Sequence, residues 1–222
     1  NPFLDGILSR LVTLLQTTSG ATSSGLALQQ QLIATIAAFS GAAGPLFKKY
    51  YPSIIPLLFE CLGTTAVTAT GEMDYKRRLL QCRALEAISL FAHSVGREGF
   101  APEHCQPFMA FLQSMEQTAL DDDDPMGEYL AAAWIRMCQT LGDAFQPYLA
   151  VCLPKMVTLA SADADTAVLE ADEEIDEEQY RPDEWDFVEA RGRKLGIRTA
   201  TLDDKCAALE NIAVLCQTMG LL

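Results

Sequence analysis

Three short signatures recur along this chain, and their spacing constrains its fold more than any other feature. Gly44-Pro-Leu-Phe47, Gly96-Arg-Glu-Gly-Phe100 and Gly142-Asp-Ala-Phe145 each close a run of helical periodicity. Each then leads into an aromatic or Pro-rich opening: Tyr50-Tyr51-Pro52, Pro107-Phe108 and Pro147-Tyr148-Leu149. Gly44 to Gly96 is 52 residues and Gly96 to Gly142 is 46. Gly142 to Gly220 is 78, one such step enlarged by an insertion of 32. Between these marks the apolar residues keep helical spacing. Leu28, Leu32, Ile36 and Phe39 share one helix face, as do Leu130, Trp134, Met137 and Leu141, and Leu209, Ile212, Cys216 and Met219.

The punctuation predicts four helix pairs. The first helices cover about 3–16, 46–62, 103–119 and 146–160, the second about 25–40, 76–95, 126–142 and 203–219. Ser24, Asp124-Pro125 and Asp203-Asp204 are expected to open second helices, and Gly41, Gly96, Gly142 and Gly220 to close them. Thr64–Thr70 carries the best strand signal, but it lies between Gly63 and Gly71 and reads as a loop. Paired helices at this period match HEAT or armadillo-type repeats, in which each pair buries its apolar face against its neighbours. The expected fold is all-α: an α-solenoid of about four HEAT-type helix pairs, with repeats near 1–43, 44–101, 102–143 and 144–222 and an acidic insertion at 163–202 in the last.

Charge narrows the partners. The chain carries 16 basic and 30 acidic residues, a net of −14. Residues 163–189 hold 13 of those acids against Arg181 alone, a local net of −12. Nucleic-acid backbones and anionic membranes need clustered Lys/Arg, so neither is expected as a direct partner. Leu11–Phe47 has no charged residue, but Thr17–Gly25 and three consecutive glutamines interrupt it, and it reads as a packed helix pair rather than a membrane span. The seven cysteines include no CxxC and fit a reducing compartment. Without Met at Asn1, and ending at Leu222 in apolar sequence, the chain reads as an excised piece.

The search for chemistry yields little. There is no phosphate loop ending in GK[ST] and no GxSxG. His93 and His104 are the only histidines, and His104 and Cys105, adjacent on a helix, point about 100° apart. Asp121–Asp124 fails as an EF-hand, because Met126 and Ala133 would fill positions that need oxygen ligands. No catalytic residue, cofactor or metal site is expected. The Asp run is either a solvated, helix-capping loop or an acidic patch. The acidic insertion is either a plain linker or a partner-contacting loop anchored by Trp185 and Phe187. Trp134 reads as core, Arg83 and Arg136 as links between repeats. Glu86, inside an apolar stretch, reads equally as such a link or as a groove-lining acid.

Ala133-Trp-Ile-Arg-Met-Cys-Gln-Thr-Leu-Gly-Asp-Ala-Phe-Gln-Pro-Tyr-Leu149, continuing to Leu153-Pro154, resembles the karyopherin-β (importin-β) superfamily. Phe47-Lys-Lys-Tyr-Tyr51, Ser94-Val-Gly-Arg-Glu-Gly-Phe100 and the block from Trp185-Asp-Phe-Val188 through Gly196-Ile-Arg-Thr-Ala200 to Leu202-Asp-Asp-Lys205 agree. The resemblance covers about residues 26–220. It implies the middle section of a non-enzymatic nuclear import receptor that moves between cytoplasm and nucleus. Such receptors bind Lys/Arg-rich cargo signals on a concave face lined by second helices, and through the full-length receptor they meet Ran-GTP and Phe-Gly nucleoporins. The cargo-binding candidates are then acids and amides at or near second helices: Gln30, Glu72, Asp74, Glu86, Asp121, Asp122, Asp123, Asp124 and Glu128. Family members carry an acid in the helix where this chain has Gln30. The rival reading is a HEAT scaffold that holds proteins together without transport.

Overall fold

The computed structural model describes residues 2–68, 70–121 and 124–221, without the side chains of 2–4 and 45. They form two compact units, Asn1–Tyr148 and Leu149–Leu222.

The first unit holds α1 (Pro2–Thr17), α2 (Ser23–Ala43), α3 (Tyr51–Leu62), α4 (Tyr75–Val95), α5 (Pro102–Glu116) and α6 (Met126–Leu141), with 3-10 segments at Gly44–Lys49 and Gly142–Tyr148. α4 lies between α2 and α6 and also packs on α3, while α1 packs on α2 and α5 on α6. With helices on three sides, α4 buries residues around most of its circumference, from Leu80 and Cys82 to Leu85, Ile88, Phe91 and Ala92. That explains why its sequence is only weakly amphipathic. α2 is the one described helix long and apolar enough to cross a membrane, yet Leu26, Leu32, Ile33, Ile36 and Ala37 are buried in its packing with α1 and α4.

α2, α4 and α6 end alike. Gly44, Gly96 and Gly142 have φ of 51°, 72° and 55°, and their N–H groups bond back to the carbonyls of Ser40, Ala92 and Cys138. Only glycine takes such backbone without strain. The aromatic that follows each glycine, Phe47, Phe100 or Phe145, is buried. Three expected helix boundaries are corrected. Thr22, not Ser24, caps α2, its hydroxyl accepting from the Gly25 N–H at 3.1 Å. Gly41 lies within α2, because the positive φ needed for the exit falls at Gly44. Asp203 and Asp204 lie inside the last helix, which starts at Thr199. The described residues of 64–70 form a loop, closed by an isolated bridge between Val67 and Met73, and residue 69 lies outside the described residues.

The second unit contains α7 (Leu149–Ser161) and α8 (Thr199–Thr218), packed together. Between them the acidic insertion folds into a sheet that the sequence reading did not expect. Strands β1 (Thr166–Glu170), β2 (Trp185–Ala190) and β3 (Arg193–Arg198) run antiparallel in the order β1-β3-β2. Arg191 and Gly192 join β2 to β3 with φ of 55° and 74°, the positive values that a two-residue hairpin turn needs. Arg198 ties the insertion's ends together through Glu184 at 2.8 Å and Asp165 at 3.5 Å.

Phe187 pairs with Gly196, and a Cβ there would sit 2.5 Å from the Phe187 ring. Gly196→Ala therefore displaces a ring that Tyr180 and Trp185 hold at centroid distances of 5.4 and 6.1 Å. The expected cost is about 1–3 kcal/mol of overpacking, borne by the sheet. In limited proteolysis, new cuts should appear within 163–198 while circular dichroism keeps its helical signal. An insertion as resistant as the wild type would refute this packing.

Candidate functional site

The starting ends of α2, α4 and α6, with the loops before them, carry most of the candidate residues, and the structure sorts these into two groups. The first is committed to the scaffold. Gln30 Nε2 donates to the Lys76 carbonyl at 2.8 Å, joining α2 to the first turn of α4, while the Lys76 ammonium bonds the Ser23 hydroxyl. The amide at this position is thus held by α4. Asp124 is enclosed. Its carboxylate takes Arg78 Nε at 2.9 Å and Nη2 at 2.6 Å and also accepts the Met126 N–H at 2.9 Å. Burial alone would push the Asp124 carboxyl up, but Arg78 and the Met126 N–H outweigh it and hold the group below the usual carboxylate value. Asp74 caps α4 by accepting the Arg77 N–H at 3.2 Å and remains half-exposed beside the Arg77 guanidinium.

The second group meets at the seam of α4 and α6. Glu86 accepts Arg83 Nη1 at 3.0 Å. Arg83 lies 5.4 Å above the Tyr129 ring. Arg136 donates from α6 to the Ser89 hydroxyl on α4 at 3.2 Å, and Glu86 partly offsets the burial that lowers the Arg136 pKa. Burial raises the Tyr129 hydroxyl, which also feels the charges of Arg83, Glu86 and Glu128. Glu86 and Glu128, 42 residues apart in sequence, thus both act through their charge on one tyrosine hydroxyl. Glu86 is bonded within its own helix, acts across the seam on Arg136 through its charge, and keeps its carboxylate part-exposed. Glu72 and Asp121 are exposed in loops, and Asp122 and Asp123 lie outside the described residues. Tyr129 and Arg78 escaped the sequence reading. For Arg78 a signal existed, because Arg78–Asp124 and Gln30–Lys76 are both separated by 46 residues, the repeat step.

Trp185 and Phe187 are not free hooks. With Tyr180 they build one face of the insertion's sheet, at centroid distances of 5.1–6.1 Å. His104 Nδ1 lies 2.7 Å from the Tyr51 hydroxyl, and its ring stacks on Phe59, joining α3 to α5. Burial pushes the Cys61 and Cys82 thiols up to about 11 and about 12, which disfavours thiolate. No cluster of metal-ligating residues occurs among the described residues.

No family model matches the chain. Importin subunit beta-3 of Saccharomyces cerevisiae is 34% identical over 209 residues, covering 94% of this chain and 18% of that protein. A probable importin-5 homolog of Dictyostelium discoideum is 27% identical over 175 residues, covering 79% of this chain and 15% of its own length. Among solved structures, Kap121p bound to Ste12p superposes with a TM-score of 0.80 at 31% identity, and Kap121p bound to RanGTP with 0.78 at 32%. Each of these covers 98% of this chain and 19% of the other. The chain thus spans less than a fifth of the length of the proteins it matches. By sequence and by fold it belongs to the importin-β (karyopherin-β) family, as a segment of that helical solenoid.

Proposed function

We propose that this chain is the middle, cargo-holding section of a nuclear import receptor and binds Lys/Arg-rich localisation signals along its second helices. The observation that carries the reading is the α4–α6 seam, where Arg83 bridges Glu86 and the Tyr129 ring and the Glu86 and Glu128 charges both act on the Tyr129 hydroxyl. The two carboxylates suit an incoming ammonium or guanidinium, which gains charge-assisted hydrogen bonds, while Arg83 already covers a face of the Tyr129 ring. Glu72, Asp74 and Asp121, with Asp122 and Asp123, extend the acidic field and attract basic peptides from solution. Gln30 and Asp124 act through the scaffold. Solved structures show Kap121p bound to Ste12p, Pho4p, Nup53p and RanGTP. In this reading the segment holds cargo by non-enzymatic binding, while Ran-GTP and Phe-Gly nucleoporins act on the whole receptor as it shuttles between cytoplasm and nucleus. The repeat division near 1–43, 44–101, 102–143 and 144–222 belongs to the same proposal.

The test is a titration with a fluorescent Lys-rich localisation peptide at low and at physiological salt. Glu86→Gln/Glu128→Gln should weaken binding by about tenfold or more, as expected for losing two charge-assisted contacts. The salt dependence should flatten at the same time. Unchanged affinity in a folded variant would move cargo recognition off this seam.

A further inference from the structure

The sheet of the acidic insertion has two apolar faces, and folding uses one of them. Antiparallel register assigns the faces, because successive side chains alternate. One face carries Trp185 and Phe187 from β2, Gly196 from β3 and buried Leu169 from β1, and Tyr180 closes over the two aromatics. The other carries Val168, Leu195 and Val188 as directly opposed partners in one row across all three strands, with Ile197 beside them. These four are 58%, 41%, 60% and 41% exposed. A single exposed valine is ordinary, whereas four aliphatic residues side by side on one sheet face mark an interaction surface.

The charge around the row selects its occupant. Asp186 and Glu170 stand in the flanking rows of the same face. Arg193 is the cation there, and Glu170 pairs with it at 3.5 Å. The surrounding segment 163–189 carries a net of −12. A second copy would bring the same charge and be repelled, and a nucleic acid or an anionic membrane is rejected for the same reason. Three adjacent strands make the row roughly 10 Å wide, matching two or three aliphatic side chains. We infer that the Val168–Leu195–Val188 face docks a protein segment with a short aliphatic centre flanked on both sides by Lys or Arg, the centre on the row and the cations reaching the acidic rim. This surface shares no residue with the Glu86–Glu128 seam, and the inference stands whether or not that seam holds cargo.

Two labelled peptides test it on the whole chain: Lys-Lys-Val-Leu-Val-Lys-Lys and its counterpart with three central serines. The wild type should bind the aliphatic-centred peptide about tenfold more tightly, the scale of covering a few methyl groups. Val168→Ser/Val188→Ser should abolish that preference while near-ultraviolet circular dichroism, reporting the aromatic face, stays unchanged. Glu86→Gln/Glu128→Gln should leave the preference intact. In a second measurement, a spin label on the peptide should broaden the methyl resonances of Val168, Val188, Leu195 and Ile197 in the wild type. Equal binding of the two peptides, a preference that survives in the serine variant, or broadening confined to other methyl groups would overturn the inference.

Discussion

Asp124→Ala is expected to destabilise the helical unit by about 3–5 kcal/mol, because it strands a buried guanidinium. The Arg78 and Asp124 side chains are 12% and 7% exposed, so water cannot take over from the missing partner. The loss spreads through a chain of bonds. Arg78 Nη1 donates to the Gln81 side-chain oxygen Oε1 at 3.1 Å, and Gln81 Nε2 donates to the Leu62 and Thr64 backbone carbonyls at 3.2 and 2.6 Å. One carboxylate thus fixes the entry to α6, the first two turns of α4 and the exit of α3. Arg78→Leu/Asp124→Leu should cost less than either single Ala variant, because an apolar pair strands no charge. In urea titration the single variant should lose much of the wild-type midpoint and the double variant should recover part of it. A loss below about 1 kcal/mol in Asp124→Ala would mean the pair is solvated like a surface bridge.

The same pair sets an acid limit. Its folded-state pKa lies below the ordinary carboxylate value. The stabilisation is therefore fully present above the unfolded value of about 3.9 and is lost as pH falls below it toward the folded value. Asp124→Asn should flatten the fall in stability over that window, measured as urea midpoint against pH.

The helices and their pairing were legible in the sequence because two periods coincide in it, the 3.6-residue helical step and the recurrence at Gly44, Gly96 and Gly142. Each of those glycines exits a helix with positive φ, a requirement that one residue type meets and that therefore shows in sequence. The sheet was not legible. β1 and β3 are five and six residues long, and β3 contains Gly196 and charged residues at alternate ends. Its stability comes from Phe187 lying on Gly196, a contact between strands that no local pattern announces. Candidate acids were legible as residue types but not as roles. Asp124 and Glu86 look alike in sequence, and what separates them is whether an arginine one repeat away encloses the carboxylate or one in the same helix leaves it accessible.

Trp134 puts the opposite case, a large aromatic whose role the helical spacing did announce. Its side chain is 1% exposed, packed at 5.9 Å on Phe145 and 6.3 Å on Tyr148, and its indole N–H donates to Glu116 at 2.9 Å. Trp134→Ala should cost about 3–5 kcal/mol, since it opens a cavity among α5, α6 and the 3-10 segment that rigid neighbours cannot fill. Trp134→Phe keeps most of the ring and removes the donor, so it should cost about 1.5–3 kcal/mol, the scale of a hydrogen bond to a charged acceptor. Glu116→Gln in the Phe background should then have little further effect, because the partner is already gone. Urea midpoints give all three values. The Phe variant, once folded, should bind the Lys-rich peptide as the wild type does, because the indole faces the core and not the Glu86–Glu128 seam. If affinity fell more than about tenfold while the fold stayed intact, Trp134 would belong to the binding seam, and the seam would reach deeper into α6 than its carboxylates indicate.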